Sequence, residues 1–172
     1  MDQDIYLIIG ASGVSGQAAI QAVRNFKPEA WVIGTTSSDR DIPHCEKTIQ
    51  GINFKDADSI EKVVASLPKN PSIKMMAFIP AKGRVAMPAT NATAQQIKDS
   101  VTFSIIPMLK LISILKPEIT VCHSAFIQLS FLREIYGAMN FTKYLMDDLA
   151  IKHPDKLKVI RFGVFDSTAL RG

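Results

Sequence analysis

Three glycines at three-residue spacing, Gly10, Gly13 and Gly16, stand between an apolar run at 5–9 and a helix-like segment that follows at once. The chemistry open to that spacing is the cradling of a pyrophosphate. Gly10 lets the chain turn sharply, Gly13 lets the backbone approach the phosphates, and Gly16 lets helix and strand pack closely. Ser12 and Val14 belong to the same turn, and the helix aims its free N–H groups and positive dipole end at the anion. A bare glycine pattern is weak evidence, but strand, tight turn and helix around it make it a binding hypothesis. The competing reading is a βα turn with no ligand.

The elements that must position this turn are legible as alternating patterns. Strand-length apolar runs lie near 5–9, 30–34, 74–79, 119–123 and 158–162, with a short one near 51–54. Helix-period segments lie near 14–26, 57–66, 94–115 and 136–152, and Pro107 either kinks the third or marks its true start. Asp58 followed by Glu61 resembles a helix start. Such alternation is the signature of a parallel sheet covered on both faces, an α/β fold in which ligands bind outside the carboxyl ends of the strands. Those ends are residues 10–16, 35–40, 56–57, 80–83, 124–126 and 163–165. The longest loop, 81–93, is of a length that is often functional.

At 172 residues the chain is sized for one domain. Its 20 Lys and Arg against 16 Asp and Glu are scattered, a solvated surface that favours an anionic ligand. No basic run with interleaved aromatics appears, which argues against nucleic acid. No apolar stretch is long enough for a membrane span. Two cysteines without a secretory leader point to a reducing, cytoplasmic setting. Cys45 with His44 lacks the partners that a zinc site requires, so no metal is expected.

With these positions assembled, the chain resembles the short-chain dehydrogenases and reductases from residue 1 to about residue 165. The resemblance rests on Gly10-x-x-Gly13-x-x-Gly16, on Asp56 after the third strand, and on Ile79-Pro80-Ala81-Lys82-Gly83 after the fourth. It continues with Ser124 at the end of the fifth strand, Tyr136-Gly137-Ala138, and Arg161-Phe162-Gly163 after the sixth. It implies a doubly wound parallel sheet, the Rossmann fold, in a single domain lacking most of the usual C-terminal substrate-covering region. Asp56 and Ala57 would then contact adenine, and the backbone of Pro80 and Ala81 would line the cofactor ribose. Ser124 would hydrogen-bond a substrate oxygen, and Tyr136 would donate or accept its proton.

Cofactor choice rests on residues 35–40. An acid at the end of the second strand would hold the ribose 2′-hydroxyl of NAD. This chain has Thr35, Ser37 and Arg40 there, groups that can bind a 2′-phosphate, so NADP is expected ahead of NAD. Asp39 is the counter-evidence. The family places a lysine one helical turn beyond the tyrosine; here that position is Asn140. A cation about 4 Å from a tyrosinate is worth about 4 kcal/mol at an effective dielectric near 20, or about three pKa units. Lys143 is the candidate substitute, about 10.5 Å along the axis from Tyr136 in a continuous helix; the alternative is a solvated surface lysine.

The expectation is an NADP-dependent oxidoreductase for a small carbonyl or alcohol. A catalytically weak dinucleotide-binding sensor or scaffold is the alternative, as is an isomerase or epimerase on the same fold. A homodimer is expected through Met108, Leu109, Ile112, Leu115, Tyr144 and Leu145, apolar beyond one subunit's needs. His123 beside Ser124 invites a dyad, but strand neighbours point to opposite faces. Met75 and Met76 read as core. Lys82 and Arg84, flanking Gly83, could meet phosphate or an acidic substrate, or simply keep a loop soluble.

Overall fold

The computed structural model describes residues 4–126 and 129–162. Six parallel strands form one sheet, β1 (Ile5–Ile9), β2 (Trp31–Thr35), β3 (Lys47–Ile49), β4 (Ile73–Phe78), β5 (Ile119–Ala125) and β6 (Leu157–Phe162), in the order β3-β2-β1-β4-β5-β6. The order reverses between β1 and β4, whose registers pair Leu7 with Met76 and Ile9 with Phe78. That reversal opens the crevice in which doubly wound sheets take ligands.

Strand alternation divides the core in two. Leu7, Ile9, Met76, Phe78 and Cys122 face one way, under α2 (Ser59–Ala65), α3 (Ala94–Ser104), α4 (Ile106–Leu115) and α6 (Met139–Lys152). Ile8, Val32 and Ala77 face the other, under Ile20 and Val23 of α1 (Val14–Phe26). Met76 is core as expected, whereas Met75 is only partly buried on the α1 side. His123 and Ser124 occupy opposite faces for the same reason.

Several boundaries differ from the sequence reading. The third strand is Lys47–Ile49 and not 51–54: Gly51 turns left-handed (φ +66°) and ends it. The helix at 94–115 is two helices, broken at Ile105 where Pro107 cannot supply an N–H to continue the ladder. Asp58 and Glu61 do not cap α2, because Asp58 is itself helical and makes no side-chain cap. The capping box that does exist is Thr93 with Gln96 at the start of α3. The helix expected at 136–152 starts only at Met139, as α6; a separate short helix α5 (Ser130–Ile135) precedes it, and Gly137 at φ +48° lies in the turn between them. No helix among the described residues is long and apolar enough to cross a membrane.

Candidate functional site

The β1–α1 turn has the geometry that a phosphate cradle requires. Gly10 adopts φ +79°, and a Cβ there would lie 3.2 Å from Pro80, so the turn abuts the end of β4. At Gly16 a Cβ would lie 2.5 Å from the Gly10 carbonyl oxygen and 2.6 Å from Ala11 backbone atoms. Only glycine lets α1 come this close. At Gly13 a Cβ would meet nothing within 4 Å. Gly13 is the N-cap of α1, receives no side-chain cap, and is followed by a first turn without an acid. The first amides of this thirteen-residue helix are therefore left without a side-chain cap, beside Ser12 and the exposed Val14 and next to the open space at Gly13. The turn is braced from below: the Gly10 N–H donates to Thr35 Oγ1 at 3.0 Å, the Ala11 N–H to the Thr35 carbonyl at 2.8 Å, and Gln17 Nε2 to the Ala11 carbonyl at 2.8 Å.

Thr35 is thus fully buried and engaged in holding the glycine turn, which corrects its expected place at a 2′-phosphate. Ser37 and Arg40 are exposed beyond the end of β2, and the Arg40 guanidinium has no hydrogen bond or ion pair among the described residues. Asp56 and Ala57 lie exposed in the turn before α2, while Pro80 and Ala81 are half-buried at the end of β4. All these positions border the carboxyl edge of the sheet.

Ser124 lies within β5, opposite Arg161 of β6. Its hydroxyl is buried without a hydrogen-bond partner among the described residues. Tyr136 is half-buried and lies in the turn after α5, not on the helix that carries Asn140 and Lys143. Burial alone raises its phenol above the usual 10.0. Asn140 is buried and its amide donates to the Gly137 carbonyl at 3.3 Å; its Oδ1 has no partner among the described residues.

Lys143 is not the solvated surface lysine of the alternative reading. It is buried, and its ammonium donates to the His123 carbonyl at 2.9 Å. Desolvation pushes it down to about 8, against smaller opposing effects of Cys122 and Asp147. A charge this deep must find an acceptor, and the one it finds is the backbone of β5. The structure therefore commits Lys143 to β5 and, among the described residues, supplies no cation to Tyr136.

Sequence reasoning missed the framing of this site. Loop 81–93 is bolted down: Ser100 Oγ donates to the Lys82 carbonyl at 2.7 Å, the Lys82 N–H to Ser104 Oγ at 3.1 Å, and the Ala138 N–H to the Arg84 carbonyl at 3.1 Å. The buried Ser100 and Ser104 on an otherwise amphipathic helix were the available signal. Arg161 makes a two-point contact with Asp147 of α6, at 3.2 and 3.1 Å, which ties β6 to that helix; Gly163 and the rest of 163–165 lie outside the described residues. The His44 carbonyl and the Glu46 carboxylate are held by Arg24, and burial beside Glu46 pushes the Cys45 thiol up to about 11. No group of side chains among the described residues is arranged to hold a metal.

No family model and no curated protein matches this sequence. Solved structures do share the architecture. A 3-ketoacyl-(acyl-carrier-protein) reductase from Brucella melitensis complexed with NADH gives a TM-score of 0.69 at 16% identity, over 98% of this chain and 78% of that one. A short chain dehydrogenase from Leptospira borgpetersenii serovar Hardjo-bovis with bound NAD+ gives 0.69 at 15%, over 98% and 75%. A short-chain dehydrogenase from Streptomyces avermitilis gives 0.68 at 21%, over 97% and 68%.

Proposed function

We propose that this chain, which has the fold of the short-chain dehydrogenases and reductases, binds a nicotinamide dinucleotide, NADP ahead of NAD, and reduces a small carbonyl compound. The observation that carries this reading is the pair Gly13 and Gly16: one opens onto space at a helix N-terminus, the other permits the close approach that creates that space. The bound nicotinamide supplies the hydride. The amides that follow Gly13 hold the pyrophosphate, and the unpartnered Arg40 reaches the 2′-phosphate.

Ser124 supplies a hydroxyl with no other partner among the described residues, suited to donate to the substrate oxygen. Tyr136, with its phenol held protonated by burial, suits proton donation rather than acceptance, which favours reduction over oxidation. The unpartnered Asn140 Oδ1 accepts from a ribose hydroxyl. Leu109 and Tyr144, exposed on α4 and α6, form the surface for a second subunit, whereas Met108 and Leu115 are core. Cys45 and Cys122 are free thiols, in keeping with a cytoplasmic protein.

The assay is NADPH consumption with a panel of aldehydes and ketones. Turnover with any of them supports the reading; tight NADPH binding without oxidation refutes the reductase. One observation favours a second reading: Asn140 brings no charge and Lys143 is committed elsewhere. On that reading the chain senses the cofactor and binds its oxidised and reduced forms with different affinities, since coupling requires differential binding. Equal affinity for both forms removes it.

A further inference from the structure

A hollow of about 710 Å³ lies between the loop before α2, the loop after β4 and the length of α3. Three cations line it. Lys55 comes from the first loop, and Lys82 and Arg84 flank Gly83 in the second. Its floor is aromatic: Phe54 and Phe103 meet edge to face at 6.4 Å, and the Lys82 ammonium lies 5.6 Å from the Phe103 ring centre. Gln96 and Thr102 add neutral polar groups, and Asp99 is the one carboxylate in the lining. That carboxylate accepts from Gln95 Nε2 at 2.6 Å and pairs with none of the three cations, which form no ion pair among the described residues.

The loop that carries Lys82 and Arg84 is fixed in place. Both backbone groups of Lys82 are bonded to the buried serines Ser100 and Ser104. A Cβ on Gly83 would lie 2.6 Å from Met139 and 2.8 Å from Ser100 Oγ, so the loop sits hard against α3 and α6. Lys55 lies close enough to Lys82 to disfavour its charge, which, with some burial, lowers Lys82 below its ordinary value. Two ammonium groups brought together without a partner raise the local potential for an anion. Three positive charges against one carboxylate match a phosphate monoester, which carries between one and two negative charges near neutrality. The aromatic floor suits a flat or apolar body beyond it.

We infer that this hollow is a binding site for a phosphate monoester, its phosphate held by Lys55, Lys82 and Arg84 and its organic part lying on Phe54 and Phe103. The inference does not depend on the dinucleotide reading, because the site is tested without cofactor. Calorimetric titration with phenyl phosphate and with inorganic phosphate is the experiment. Phenyl phosphate binds saturably and more tightly than inorganic phosphate, and Lys82→Gln or Lys55→Gln weakens it by about tenfold or more. Both lysines are exposed, so neither change threatens folding.

Repeating the titration with saturating NADP, whose 2′-phosphate is a monoester, and with saturating NAD, which carries none, separates two sources of the phosphate. Binding undiminished by NADP assigns the site to a substrate or effector. Loss of binding with NADP but not with NAD, together with weaker NADP but unchanged NAD affinity in Lys55→Gln, assigns it to the cofactor's own monoester in place of Arg40. The proposal is overturned if neither phosphate binds saturably, or if both lysine variants bind phenyl phosphate as the parent does.

Discussion

Gly13 and Gly16 make opposite demands, and the contrast separates a binding site from a mere turn. In Gly16→Ala the new methyl would lie 2.5–2.6 Å from three backbone atoms of Gly10 and Ala11. No side-chain rotamer relieves such a clash, so α1 must move away from β1. Overpacking of this kind costs about 1–3 kcal/mol, which at about 2–4 °C per kcal/mol for a chain of this size lowers Tm by about 2–12 °C. In Gly13→Val the side chain enters open space at an ordinary extended φ of −81°, so Tm changes by less than about 2 °C. Dinucleotide affinity behaves differently: both variants lose it, Gly16→Ala by displacing the amides and Gly13→Val by filling the space that the phosphates need. Thermal denaturation and NAD(P)H fluorescence titration read the two effects separately. A Gly13→Val protein that keeps its affinity refutes the cradle, and one that melts as early as Gly16→Ala refutes the geometry.

Arg40→Ala weakens NADP about ten- to hundredfold, the worth of a charge-assisted contact, and leaves NAD nearly unchanged; equal loss of both removes the 2′-phosphate contact. Lys143→Met tests the buried ammonium through pH: with its pKa lowered from 10.5 to about 8 in the fold, the native chain gains stability as pH rises from 8 toward 10.5. Because Cys45 and Cys122, raised to about 11 and 12, act oppositely in that range, the quantity to measure is the parent's stability minus the variant's in urea denaturation, which rises from pH 8 toward 10.5; a difference independent of pH refutes the lowered lysine. Leu109→Glu, at an exposed position of α4, converts a dimer to a monomer in sedimentation, and a parent that is already monomeric at tens of micromolar removes the interface.

How far the sequence revealed this molecule depended on how local each determinant is. The β1–α1 turn was legible because the left-handed Gly10 and the clash that a Cβ on Gly16 would make with Gly10 and Ala11 are both settled within seven residues. β3 was misplaced because three residues carry too little pattern to compete with the apolar Ile52 and Phe54, which are buried but lie beyond the left-handed Gly51. The break before α6 was written in Gly137, yet a helical period running through 136–152 hid it. The burial of Lys143 was out of reach. Position along a helix gives the face, but which face meets the sheet is fixed by strand order. Only β5 and α6 together place a carbonyl where that ammonium needs one.

With Tyr136 as the proposed proton donor, these same facts decide which direction of proton transfer it can support. A tyrosine that must accept a proton at neutral pH needs its pKa lowered by about three units, close to what a cation at about 4 Å supplies at an effective dielectric near 20. Among the described residues Tyr136 has no such neighbour, and burial moves its phenol the other way. A phenol that stays protonated can still donate, so reduction of a carbonyl retains its acid while oxidation of an alcohol lacks its base. The expected profile is a reductase rate that stays level through neutral pH and falls only above pH 10 or so. Asn140→Lys restores a cation one helical position from the turn. It should bring that fall to lower pH and raise the rate of alcohol oxidation, and both effects should vanish when combined with Tyr136→Phe. The new lysine enters a buried site, so a folded variant is verified first by its melting transition. A folded, cofactor-binding Asn140→Lys protein whose reductase rate keeps an unchanged pH profile would show that Tyr136 is not the proton donor.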